Sequence, residues 1–219
     1  MRSSRNGVFA IALADGAGSA PHSRVGAEIA VRSCTRLLTT SFPQLDELMD
    51  EELALRILVP LRRRIAVAAE RLGAPESDLA STLLFAAVSG DRYLAGMIGD
   101  GVTGCGAGGE RRVLIGPQRG EFANQTWFVT SPSAAKRFRF ARGPLDNTDW
   151  FCLMSDGTAE TFHQRSTNLL SSGPARVACW LREYSERRVC EFVRTNLNEQ
   201  IRNRTTDDCS LAVLSRATI

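Results

Sequence analysis

Two hydrophobic periods divide the chain. Residues 8–14 form an uninterrupted apolar run closed by Asp15-Gly16, the pattern of a buried strand. Residues 17–22 are a loop of small side chains. Ser23 is placed to cap a helix over about residues 24–38, whose apolar face is Val25, Ile29, Cys34, Leu37 and Leu38. Helical spacing resumes over residues 45–72, with Leu53, Ile57, Leu61, Ile65 and Ala68 on one side. Pro60 lies inside this stretch and predicts a kink or the start of a second helix, and Gly73-Ala74-Pro75 ends it.

The period then shortens to that of strands. Residues 81–88 and 93–98 are apolar runs joined by the hairpin signal Ser89-Gly90-Asp91-Arg92. Residues 111–115, 126–130 and 137–141 read as further strands, and residues 150–154 as a buried one ended by Ser155-Asp156-Gly157. Helical patterns over residues 174–184 and 188–201 precede a final strand at residues 209–214. Helices in blocks between hairpin-linked strands predict an α+β fold of mostly antiparallel sheet, one domain over residues 1–219.

Composition narrows the function classes. The chain is 43% hydrophobic and 23% charged, ordinary for a globular protein. A net charge of +3 is too small and too dispersed for a nucleic-acid groove. No apolar run reaches the roughly 20 residues needed to span a bilayer, and no signal peptide is recognisable. Cys34, Cys105, Cys152, Cys179, Cys190 and Cys209 are scattered, several of them in apolar runs, which favours reduced thiols in a cytoplasm. A cytoplasmic monomer is therefore expected. Only His22 and His163 are available as imidazoles, so a metal would be held by carboxylates, which points to magnesium, manganese or calcium rather than zinc.

The carboxylates fall in a pattern. Three strands end alike, in Ala14-Asp15-Gly16, Gly99-Asp100-Gly101 and Ser155-Asp156-Gly157, and the last strand is preceded by Asp207-Asp208. One Asp-Gly pair is a turn signature, because both residues tolerate a left-handed backbone. Asp15 and Asp156, however, lack the return strand that a hairpin needs. Strand ends of this kind can gather four carboxylates at one sheet edge, where only cations would make such charge favourable. Hard divalent ions with oxygen ligands suit that role, and Gly16 would let its own carbonyl approach one.

The residues around these positions carry a resemblance. Ala12-Leu13-Ala14-Asp15-Gly16-Ala17-Gly18-Ser19-Ala20, with Gly26-Ala27 on the following helix, resembles the first aspartate motif of type 2C protein phosphatases. Leu79-Ala80-Ser81-Thr82 resembles that family's Gly-Ser-Thr strand start, and Met97-Ile98-Gly99-Asp100-Gly101 its Gly-Asp-Gly motif. Leu153-Met154-Ser155-Asp156-Gly157 and Thr206-Asp207-Asp208-Cys209-Ser210 are similar to its last two motifs. The resemblance implies an antiparallel β-sandwich flanked by helices, in α-β-β-α layers. It also implies a Mg2+- or Mn2+-dependent Ser/Thr phosphatase acting on phosphorylated proteins through a metal-bridged hydroxide. By position, Asp15 would bridge two metals and the Gly16 carbonyl would bind one. Asp156 and Asp207 would complete the first, and Asp100 with Asp156 would hold a third, weaker ion. Asp208 and Thr82 become candidates for support of this centre or for substrate contact.

The same family carries an extra N-terminal strand with an arginine for the substrate phosphate and an acidic residue for the second metal. The seven residues before Val8 include no acid, so that strand is expected to be missing, with Arg2 or Arg5 as the substitute arginine. This departure motivates an alternative, a phosphatase-fold binding or regulatory module of little activity. His22 is a further substrate candidate from its place in the loop after Asp15, and His163 reads as a partly packed surface residue. Gly104-Cys105-Gly106-Ala107-Gly108-Gly109 fits GxGxxG, but strand rather than helix follows it, which argues against a dinucleotide site. Arg62-Arg63-Arg64 reads as a solvated helix face.

Overall fold

The first predicted strand has a partner before it. In the computed structural model, which describes residues 1–107, 109–117, 126–201, 205 and 207–216, β1 (Arg2–Arg5) pairs antiparallel with β2 (Val8–Leu13). Asn6 and Gly7 join them at φ 51° and 76°, the two left-handed residues of a type I′ hairpin turn. Arg2–Arg5 thus form a strand ahead of Val8, where the sequence reading placed none.

Beyond β2 come α1 (Ser23–Asp46), α2 (Asp50–Leu72) and a 3-10 turn (Glu76–Leu79). Next are β3 (Leu83–Ser89), β4 (Arg92–Ile98), β5 (Val102–Ala107), β6 (Glu110–Ile115), α3 (Ala134–Arg137), β7 (Arg139–Pro144) and β8 (Trp150–Met154). The chain continues through α4 (Asp156–Phe162), β9 (His163–Gln164), β10 (Leu169–Leu170), α5 (Ser172–Glu183) and α6 (Glu186–Asn196). It then passes a π turn (Leu197–Ile201) to β11 (Leu211–Ser215). The strands form two antiparallel sheets, ordered β1-β2-β3-β4-β7 and β11-β8-β5-β6-β10-β9.

Alternation along the strands explains the layering. In β2, Ala10 and Ala12 pack toward Leu38, Leu53, Ile57 and Leu61 of α1 and α2. Their neighbours Ile11 and Leu13 face Phe151 and Leu153 of the second sheet. The outer face of that sheet, with Cys152 and Met154, is covered by Ala159 of α4 and Ala178 of α5. The layers are therefore helix, sheet, sheet, helix, as the resemblance implied. No helix among the described residues is long and apolar enough to cross a membrane.

Several local expectations are corrected. The helical break falls at residues 47–49, not at Pro60, which lies within α2 on its exposed face. Arg142 of β7 pins the break by donating to the Asp46 and Leu48 carbonyls at 3.1 and 2.6 Å and pairing with the Asp50 carboxylate. Ser23 does not cap α1; His22 occupies that position and forms no side-chain cap. Residues 126–130 are loop and turn rather than strand, and β7 begins at Arg139 after the short α3. Arg62 is not simply solvated: it reaches from α2 to the Val129 and Ser131 carbonyls and fastens that loop. His163 is buried, its Nε2 3.0 Å from Asn168 Oδ1. Gly108 of the glycine-rich run lies outside the described residues.

Candidate metal centre

Each aspartate is delivered by a strand end and held there by backbone contacts. After β2 the chain runs against the approach to β3, with Gly16 bridged to Ser81. The Thr82 amide donates to the Asp15 carbonyl at 2.8 Å, and the Asp15 amide donates to Thr82 Oγ1 at 2.9 Å. Thr82, a candidate by sequence, therefore holds Asp15 through both its amide and its carbonyl. Asp100 lies where β4 leaves the first sheet for β5 in the second, and accepts a 2.5 Å hydrogen bond from Thr126 Oγ1. Asp156 opens α4, where the helix dipole favours a negative side chain, and its Oδ1 accepts from the Gly157 amide at 2.8 Å.

Ser155 couples the last two motifs. Its amide donates to the Ser210 carbonyl at 3.1 Å, its Oγ donates to the Asp208 carbonyl at 2.9 Å, and that Oγ accepts from the Ser210 amide at 2.9 Å. A Cβ on Gly157 would stand 2.9 Å from the Asp208 carbonyl oxygen and 3.1 Å from that of Asp207, so only glycine lets the two segments meet this closely. Thr206, quoted with this motif, lies outside the described residues.

The result is a convergence of like charges from both sheets. Asp15 is pushed up to about 6, first by burial, then by the charges of Asp156, Asp208 and Asp100, against a smaller opposing pull from the Gly16 amide. Asp156 is also raised, by burial first, with the Gly157 amide opposing and Asp100, Asp207 and Glu160 adding to the rise. Among the described residues, no three Asp, Glu, His or Cys side chains stand as close as the ligands of one ion. The donor set is nonetheless all oxygen and mutually repulsive, which fits a hard divalent cation and no softer metal.

The remaining candidates separate. Arg5 pairs with Val8 at the start of β2, five residues and about 17 Å of strand from Leu13, so it lies at the opposite end of the hairpin from Asp15. The register does not bring it beside the carboxylates. Arg2 lies nearer, opposite Ile11, but its guanidinium pairs with Glu186 of α6 at 2.7 Å. His22 is half-buried at the head of α1, its amide donating to the Asp78 carbonyl at 2.9 Å, and it does not line the groove onto which Asp15, Asp207 and Asp208 open. Ser155, Thr126 and Glu160 were not singled out from sequence. Ser155 stood inside a quoted motif, whereas Thr126 and Glu160 carry no local signal.

Comparisons with known proteins assign the family and the fold. The family model for protein phosphatase 2C matches residues 1–202. Serine/threonine-protein phosphatase 3 of Escherichia coli (strain K12) is 29% identical over 130 residues, covering 59% of this chain and 51% of that protein, so the match spans about half of the relative's length. A solved bacterial serine phosphatase superposes with a TM-score of 0.68 at 10% identity, covering 100% of this chain and 92% of its own. The S. agalactiae serine/threonine phosphatase gives 0.65 at 16% identity, with 97% and 90% covered. These two share the fold, and on the family match the chain belongs to the protein phosphatase 2C family.

Proposed function

We propose that the chain is a Mg2+- or Mn2+-dependent phosphatase acting on phosphoserine or phosphothreonine in proteins. The observation that carries this reading is the convergence of Asp15, Asp100, Asp156 and Asp208 from both sheets, with Asp15 raised to about 6. So much unneutralised carboxylate is costly to maintain in a fold that has no use for it. It favours turnover over a purely binding or regulatory module.

Asp15, the Gly16 carbonyl, Asp156 and Asp207 are the groups to hold two ions, and Asp100 with Asp156 a weaker third. When bound, such ions polarise phosphoryl oxygens and bring the pKa of coordinated water toward neutrality. The other residues act on the carboxylates. Thr82 fixes the peptide that carries Asp15, Ser155 locks the Asp156 turn to the Asp207-Asp208 segment, and Thr126 orients Asp100. Asp208 stays close enough to Asp15 to raise it, which suits a supporting carboxylate.

The test is manganese-dependent hydrolysis of an aryl phosphate by the wild type and Asp156→Asn. Removal of a ligand carboxylate is expected to lower kcat/KM by at least about 100-fold. Equal rates from the two proteins, or none from either at saturating metal, would refute the reading.

A further inference from the structure

Residues 126–131 touch both the helix layer and the carboxylates. At one end Thr126 Oγ1 donates to Asp100 Oδ2 at 2.5 Å. In the middle Phe128 packs against Ala17 and Ala20, in the loop after Asp15, and against Ala80. The Val129 amide donates to the Ser81 carbonyl at 2.9 Å, one residue ahead of Thr82 and its hold on Asp15. A turn closes the segment: the Ser131 amide donates to the Phe128 carbonyl at 3.0 Å, and the Phe128 amide to Ser131 Oγ at 3.0 Å.

The helix layer reaches this segment through Arg62 of α2. Its Nε donates to the Val129 carbonyl at 2.8 Å, and its Nη2 donates to the Ser131 carbonyl. The two carbonyls belong to residues two apart, and the rigid fork of a guanidinium meets both at once. The ammonium of a lysine has no such fork. Val129 is fully buried, so its carbonyl cannot simply exchange Arg62 for water where it stands. Without that donor the segment must shift to satisfy the carbonyl, and Thr126, three residues away, shifts with it. Asp100 then loses the hydroxyl that fixes its carboxylate. Hydrogen bonds of that kind govern ion affinity, because a ligand left free to rotate must be ordered anew on binding.

We propose that Arg62 is a positioning residue of the metal centre: by clamping the Val129 and Ser131 carbonyls it keeps Thr126 on Asp100, and so sets the affinity of the weaker ion assigned to Asp100 and Asp156. The proposal rests on the metal-dependent reading given above and adds to it the control of one ion from α2. Coupling of this kind is reciprocal, so the ion in turn tightens the segment.

The experiment titrates Mn2+ into the protein, reading free Mn2+ by electron paramagnetic resonance, with hydrogen exchange at the Val129 amide as a second measurement. Wild type is compared with Arg62→Ala, Arg62→Lys, Thr126→Val and the double variant Arg62→Ala/Thr126→Val. Arg64→Ala is the control from the same helix, since Arg64 donates instead to Ser33 Oγ of α1 at 3.1 Å. Arg62→Ala and Thr126→Val are each expected to weaken the weaker class of Mn2+ sites at least about tenfold and the tighter class less than about threefold. The double variant is expected to lose no more than the larger single loss, because both changes act through one contact. Arg62→Lys should fall between Arg62→Ala and wild type, and Arg64→Ala should match wild type. Exchange at the Val129 amide should be about tenfold faster in metal-free Arg62→Ala than in metal-free wild type, and Mn2+ should slow it in the wild type. An unchanged weaker class in Arg62→Ala, or losses that add in the double variant, would overturn the proposal. So would equal weakening of both classes, which would make Arg62 a general support of the fold. In each of those cases normal Mn2+ binding by the wild type would leave the metal reading standing. A wild type that takes up no Mn2+ would refute that reading itself, and the proposal with it.

Discussion

Asp15 carries the strain of the site in its own ionisation. Its carboxyl titrates near 6, above the usual carboxylate range, because burial and three neighbouring aspartates oppose its charge. Asp156 is shifted the same way. A raised carboxyl makes the folded chain bind more protons than the unfolded one between the two pKa values, so stability falls as pH rises through that window. In chelator, the metal-free protein is therefore expected to melt higher at pH 5 than at pH 7.5. The difference is moderated because Asp15 is partly exposed and screened by water. Asp15→Asn should shrink the difference by removing one of the two groups that produce it. A wild type whose melting point is flat or rises over that interval would contradict the charge arrangement. Ser155 makes the complementary point: only 1% exposed, it positions Asp156 and Asp208 through three hydrogen bonds without holding any charge itself.

The elements stand where they do because a few contacts leave no slack. Gly26 of α1 lies against the 3-10 turn, and a Cβ there would come within 1.9 Å of the Leu79 carbonyl oxygen, a backbone atom that cannot swing away. Gly26→Ala is expected to cost about 2–3 kcal/mol as overpacking, lowering Tm by roughly 5–10 °C. A shift of about 1 °C or less would mean that the helix is free to move off the turn. The strand-end aspartates, the apolar strands and the hairpin at Ser89–Arg92 were legible in sequence, because each has a local period or turn chemistry. The hairpin of β1 is marked in sequence by Asn6-Gly7, but the polar Arg2-Ser3-Ser4-Arg5 flank lacks the alternating apolar residues that make such a turn signal strong. What local pattern does not encode is the long-range bond. Arg142 breaks the helical run from 94 residues away, Arg62 fastens the loop at Val129, and Thr126 finds Asp100 across 26 residues. The Arg62 and Thr126 contacts hold residues 126–131 as loop and turn rather than strand.

At the scale of the whole molecule, the carboxylates lie on the seam between the two sheets. Asp15 follows a strand of the first, Asp156 and Asp207 flank paired strands of the second, and Asp100 marks the crossing between them. Ions held there would tie the layers together, so binding is linked to folding and not only to catalysis. Metal at 100 times its dissociation constant adds about 2.7 kcal/mol to stability, which for a chain of this size is a Tm rise of roughly 5–10 °C. Manganese titrated into wild-type protein is expected to produce that rise. It should also slow hydrogen exchange both at the Asp15–Thr82 contact in the first sheet and at the Ser155–Ser210 contact in the second. Asp156→Asn should lose most of both effects, because it removes the second sheet's main share of the ligands. A rise of equal size in that variant, or protection confined to one sheet, would mean that the ion binds elsewhere and that the seam is not its site.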